Sequence, residues 1–131
     1  MKGFVANIET LTEENRDFRR VLYTGKHLQL VLMSLAPGED IGEEVHVDRD
    51  QFFRVEEGNG AVVIDGRRSP IAAGVAIIVP AGARHNVINV SDQPLRLYTL
   101  YAPPEHRDGT IRATKAEAQS REEHFDGKTT E

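Results

Sequence analysis

Glu44 and His46 stand two residues apart in the stretch GEEVHV, so on an extended strand both side chains leave the same face. A polar turn of Asp48, Arg49 and Asp50 follows, and the chain resumes with Gln51 and an apolar alternation through Phe53 and Val55. A carboxylate, an imidazole and an amide oxygen are thus placed to converge from two adjacent strands, which is ligand chemistry for a divalent cation. Cysteine is absent. Disulfides, thiolate nucleophiles and zinc-thiolate sites are excluded with it, and any metal must be held by nitrogen and oxygen.

The elements that carry these residues read as short strands. Thr12 to Asn15 suggests a turn or a single helical turn between two extended pieces. Residues 18–24 are extended in character, Gly25 and Lys26 interrupt them, and residues 28–35 (LQLVLMSL) form an apolar run of strand length ended by Pro37 and Gly38. A strand apolar on both faces belongs between two layers or at a subunit interface, with Gln29 and Met33 as packing residues. AVVID ends at Asp65-Gly66, a two-residue hairpin signal, and RRSPI returns with Pro70 at an edge or strand end. Gly74 opens VAIIVP; residues 80–83 then turn the chain into RHNVINV, where His85, Val87 and Asn89 share a face. After a turn at 92–94, LRLYTLY runs over 95–101 until Pro103 and Pro104 stop it. Eight or nine strands at intervals of about ten residues, with no alternation of strand and helix, predict an all-β sandwich or barrel. Thr114 followed by Glu117 is a capping box opening KAEAQSREE, with Glu117 and Arg121 paired one turn apart, so one short exposed helix is expected there. Residues 124–131 are polar and expected to be mobile, with His124 at the surface and Phe125 able to dock on the barrel.

At 131 residues the chain has the size of one domain, with a core over about 18–104 and an extension over 105–131. The net charge of −5 argues against nucleic acid or an anionic membrane as partner. The sequence has neither a membrane-spanning apolar run nor a signal-peptide pattern at its start, and a cytoplasmic location is the expectation.

Two spacings carry a resemblance. From Gly38 the chain runs five residues to Glu44, one to His46, four to Gln51 and six to Gly58; from Gly74 it runs five to Pro80, one to Gly82, two to His85 and three to Asn89. These resemble the two cupin motifs, the first with Glu44 where a histidine usually stands and Gln51 where a glutamate usually stands, the second without departure. The resemblance implies the cupin double-stranded β-helix (a jelly-roll barrel of the RmlC-like kind, often likened to mannose-6-phosphate isomerase). It further implies a metal inside the barrel held by Glu44, His46, Gln51 and His85. Strand alternation assigns these four side chains to the interior as well, in the company of Phe53, Val55 and Val87. Gly58, Gly74 and Gly82 are expected at turns or positive φ.

With Glu44 as the one anionic ligand, the centre would carry a net charge of +1 and suit Mn, Fe, Ni or Co at least as well as Zn. The site resembles in part the manganese site of ureidoglycine aminohydrolases, which are two-domain cupins. The expected function is that of a metal-dependent lyase, isomerase, hydrolase or dioxygenase acting on a small polar carbonyl or carboxylate compound; a non-catalytic sensor or ligand-binding module is the alternative. Tyr98, Tyr101 and His106 are the candidates for proton transfer, Asp50 a weaker one, and Arg84 is the one cation placed near the mouth. An ion pair of Glu44 with Arg84 or Arg54 would remove it from the metal. A homodimer is expected, because an N-terminal strand and the two-sided run at 28–35 need cover.

Overall fold

The computed structural model describes all residues, 1–131. In chain order the elements are α1 (Ile8–Glu14), β1 (Arg19–Thr24), β2 (Gln29–Leu35), β3 (Glu44–Val45), β4 (Asp50–Glu57), β5 (Asn59–Ile64), β6 (Arg67–Ala72), β7 (Ala76–Val79), β8 (Arg84–Ile88), β9 (Leu95–Ala102), β10 (Ile111–Arg112) and α2 (Lys115–Ser120). The ten strands form two antiparallel sheets, one ordered β10-β1-β2-β9-β4-β7 and the other β3-β8-β5-β6. This is the expected jelly roll. The count exceeds expectation because β10 is a two-residue strand too short to leave a periodic signature.

Alternation decides which side chains enter the space between the sheets. Along β9, Leu95, Leu97, Thr99 and Tyr101 are buried while Arg96, Tyr98 and Leu100 are partly exposed. Phe53 and Val55 from β4, Val31, Met33 and Leu35 from β2, and Val87 from β8 complete the core. Burying each of these side chains contributes about 1.5–3 kcal/mol. Gly58 has φ +90 and lies so close to β9 that a Cβ would sit 2.3 Å from the Pro94 carbonyl oxygen, so only glycine fits between the strands. Asp65 and Gly66 both have positive φ, as the hairpin requires, and β6 with Pro70 lies at the edge of its sheet.

Three expectations need correction. The N-terminal segment is not a strand: Asn7 caps α1 by accepting from the Thr10 backbone N–H at 3.0 Å, and α1 packs on β2, β4 and β9. The outer face of β2 is therefore partly covered by this chain itself. Gln29 is fully buried yet is no mere packing residue, as described below. Finally, the C-terminal residues lie along β1: the Thr130 N–H donates to the Thr24 carbonyl at 2.9 Å, and the Thr24 N–H to Thr130 Oγ1 at 2.8 Å. The capping box does form, with Thr114 accepting from the Glu117 N–H and Glu117 meeting Arg121 at 3.1 Å, but the helix stops at Ser120. No helix is long and apolar enough to cross a membrane.

Candidate metal centre

Pairing of β3 with β8 sets Glu44 directly opposite His85 in one sheet, while Gln51 comes from β4 in the other. His46 follows β3. The Gly82 N–H donates to the His46 carbonyl at 2.8 Å, and φ +90 at Gly82 makes the turn possible. Asp50 accepts from the Ala81 N–H at 2.8 Å, so it steadies the loop before His85 rather than facing the centre. The structure thus brings all four proposed ligands together at one end of the barrel.

Their orientation is set from behind. His85 Nδ1 lies 3.1 Å from the Ala83 carbonyl oxygen; a carbonyl only accepts, so Nδ1 carries a proton, and in the neutral ring Nε2 then presents a lone pair. That lone pair faces Gln51 Oε1 at 3.2 Å. Gln51 in turn donates from Nε2 to Thr99 Oγ1 at 3.0 Å, which leaves its carbonyl oxygen directed at the imidazole. Two acceptors therefore face each other. Gln51 and His85 are both buried, and Phe53 packs edge-on against the imidazole.

His46 has no such hydrogen bond behind it. Its ring centroid is 5.4 Å from that of His85, its Nδ1 is 3.6 Å from Glu105 Oε2, and its Nε2 is 3.1 Å from Glu44 Oε2. That last approach has the distance of a hydrogen bond without its direction, and His46 Nε2 is buried with no hydrogen-bond partner. The Glu44 carboxylate beside it raises the His46 pKa above its ordinary value. For Glu44, burial pushes upward, but contact with His46 and the nearby charges of Arg19 and His85 hold it below the usual carboxylate range. Arg84 pairs with Glu43 at 2.9 Å and Arg54 with Glu56 at 2.8 Å, so neither takes Glu44 away. The donor atoms of Glu44, His46 and His85 do not all lie within 4.8 Å of one another; the trio that does is Glu9 and Glu13 from α1 with Glu56 from β4.

The proton-transfer candidates separate by face. Tyr98 is corrected: three residues from Tyr101 on one strand, it points to the opposite face and packs with Phe52 outside the barrel, ring centroids 6.3 Å apart. Tyr101 points inward, 5.8 Å from His46 ring to ring. His106 is not a solvated histidine but a buried one, with Nε2 3.3 Å from the Tyr101 hydroxyl and Nδ1 2.8 Å from Glu123 Oε1. A carboxylate accepts, so Nδ1–H donates to Glu123 and the Tyr101 hydroxyl donates to Nε2. Burial raises the Tyr101 phenol far above its ordinary pKa, so it stays protonated.

Gln29, Arg19, Glu105 and Glu123 are participants that sequence reasoning missed. Gln29 Oε1 accepts from the N–H groups of Glu105 and His106 at 3.1 and 2.9 Å, while its Nε2 donates to Thr24 Oγ1 and the His106 carbonyl. A glutamine inside an otherwise apolar strand was the one available signal. A cavity of about 210 Å³ opens beside the centre, walled by Glu44, Arg19, Glu105, His106, Glu123 and α2; His46, Gln51 and His85 do not line it.

A cupin domain model matches residues 31–101. The protein YrkC of Bacillus subtilis is 48% identical over 128 residues, covering 93% of this chain and 69% of that one. The crystal structure of BH2720 from Bacillus halodurans superposes with a TM-score of 0.89 at 49% identity, covering 92% of this chain and 96% of that one. The polyketide synthase protein CurC of Streptomyces cyaneus is 33% identical over 72 residues, 55% of this chain and 47% of that one. With both motifs folded at one end of a jelly roll and the domain match spanning more than half the sequence, the chain belongs to the cupin family.

Proposed function

We propose that this cupin holds one divalent metal ion through Glu44, His46, Gln51 and His85, and is an enzyme for a small polar carbonyl or carboxylate compound. The observation that carries the reading is the direction of the two Nε2 atoms. His85 gives its Nδ1 to the Ala83 carbonyl at 3.1 Å, which turns its Nε2 to the Gln51 amide oxygen, while His46 Nε2 lies 3.1 Å from Glu44 without a hydrogen bond. An acceptor behind the ring, like that of His85, orients a metal-binding histidine. The donor set of two imidazoles, one carboxylate and one amide oxygen suits Mn, Fe, Ni or Co, with Zn less well served. When bound, such an ion acts as a Lewis acid toward a substrate oxygen or, if redox-active, opens oxygen chemistry.

The chain's own residues would supply the remaining chemistry. Tyr101 keeps a proton on a buried phenol next to His46, and His106 connects that phenol to Glu123 at the wall of the cavity. A proton removed from or returned to a substrate beside the centre would travel by this route. The similarity to CurC, a polyketide synthase protein, agrees with a carbonyl substrate. A second reading rests on the amide of Gln51: turned over, it would donate to His85 and accept from Thr99, and the pair would need no cation.

Titration of chelator-treated protein with MnCl2 and NiCl2 by calorimetry decides between them. Binding of about one ion per chain, weakened at least about tenfold in His85→Ala, is expected; absence of binding favours the amide turned over. A substrate screen with the loaded protein then separates enzyme from ligand-binding module. Turnover abolished in both Glu44→Ala and His85→Ala supports the enzyme; tight ligand binding without turnover supports the module.

A further inference from the structure

Arg19 leaves β1 on the same face as the core residue Val21 and enters the wall of the cavity beside Glu44. Its side chain is only 13% exposed, and its Nε is shut off from water with no hydrogen-bond partner. The nearest carboxylate, Glu123, stands 3.6 Å from Nη1, beyond hydrogen-bond distance, and already serves His106 at 2.8 Å and Arg112 at 3.4 Å. The other arginine Nε lacking a well-directed bond, that of Arg54, has Glu56 only 2.8 Å away. Arg19 has only the Phe18 ring, 5.6 Å from its guanidinium carbon, and the more distant Glu123. A guanidinium with an idle buried donor carries a desolvation penalty that native folds normally offset with a bond.

The other buried charges of the cavity are engaged. Lys115 is paired with Asp40 and Glu105 lies 3.0 Å from Arg49, while Glu122 is exposed to water at the rim. Glu44 belongs to the proposed metal. The unfilled valence of the wall is therefore cationic and planar, which matches a carboxylate bound through two parallel N–H donors. A phosphate would call for more positive charge than one guanidinium facing several carboxylates provides, and the small volume favours a compact acid.

We infer that Arg19 is the specificity-determining residue of the cavity, binding the distal carboxylate of a small diacid whose other end reaches the metal centre. This rests on the metal reading above and deepens it by naming the substrate class. Arg19 would grip an end of the ligand that takes no part in bond making, so it acts by positioning.

L-malate and its 4-methyl ester serve as probes, since both carry the same hydroxy-acid chelating end and differ only in the distal charge. Calorimetry on the Mn-loaded wild-type protein is expected to show malate binding at least about tenfold tighter than the ester. Arg19→Met, checked for an unchanged melting temperature, should bring the two affinities together while leaving Mn binding intact. Equal affinities in the wild-type protein, or a preference retained by folded Arg19→Met, would overturn the inference. If Arg19→Met does not fold, the wild-type comparison decides together with nitrogen-edited NMR of the buried Arg19 Nε–H, assigned by its loss in Arg19→Lys. That resonance should move with saturating malate and stay still with the ester; a signal unmoved by malate refutes the assignment. Lack of Mn binding is the separate signature of a failed metal reading, and in that event the same NMR titration of metal-free protein still decides whether Arg19 takes a carboxylate.

Discussion

Gln51 occupies the ligand position where the choice between amide and carboxylate has the largest consequence. An amide oxygen adds no charge, and in this protein it is already aimed by the Thr99 hydroxyl at a neighbour with a lone pair of its own. Gln51→Glu should therefore tighten Mn binding by about tenfold or more, because a second anion would meet the cation in a buried site. The same change should lower the melting temperature of metal-free protein, since an uncompensated carboxylate would then be buried. Calorimetry of MnCl2 binding and thermal melts in chelator read the two effects separately. A variant that gains no affinity would mean that position 51 does not touch the ion.

Among the elements, the turn after β9 is held by residues from distant strands. Gln29 on β2 accepts from two consecutive N–H groups at Glu105 and His106, and so fixes the segment that sets a carboxylate near His46 and a relay against Tyr101. Gln29→Leu keeps the strand apolar but strands those two donors and the Thr24 hydroxyl; a loss of about 2–4 kcal/mol is expected, read from urea unfolding midpoints.

Acid should act through the same segment. Tyr101 from β9, Arg19 from β1, Glu123 after α2 and the adjoining Glu105 all face His106. Burial pushes the His106 imidazole below its ordinary value, Arg19 adds to that, and the opposing pull of Glu123 does not reverse it. Burial alone would push the Glu123 carboxyl up, yet the bond from His106 and the charges of Arg19 and Arg112 hold it below the usual range. An unfolded chain takes up a proton on His106 that the folded chain refuses, so stability is full above about pH 6.5 and falls as the pH drops below it. The contribution of Glu123 is present above its unfolded value of about 4.3 and is lost as the pH falls through its lower folded value. His46, with its raised pKa, contributes in the opposite sense over the same range, so the His106 stage is read as the difference between the wild-type melting profile and that of His106→Gln, which should lose less stability on acidification. An unchanged profile in that variant would place the loss elsewhere.

For the whole molecule, the question is what covers the outer face of the larger sheet. Register aligns Leu30, Leu100, Phe52 and Ile78 in one row across β2, β9, β4 and β7, and Ile78 is 69% exposed. α1 covers β2, β4 and β9 in part, so the expected N-terminal strand is not the element that needs a partner. The row ending at Ile78 is the surface on which a homodimer is proposed to form. Light scattering should give twice the chain mass, and Ile78→Lys should shift the protein toward monomer. A wild-type monomer at micromolar concentration would end that proposal.

The sequence by itself determined the strand faces, because side-chain direction along a strand follows from a period of two that is local to each segment. That is why the inward set of Glu44, Gln51, Phe53, Val55, His85 and Val87 was legible, as were the Asp65-Gly66 hairpin and the capping box at Thr114. It also established a cysteine-free donor set. Only the tertiary structure decided that β3 lies beside β8 while β4 belongs to the other sheet, that Tyr98 faces outward, and that α1 stands where an extended segment was expected. Arg19, Glu105 and Glu123 reach one cavity from positions far apart in the chain, and Gln29 braces the segment that forms part of its wall. No local pattern encodes such meetings, since they depend on which remote strands pair and on which acceptors stand behind each imidazole.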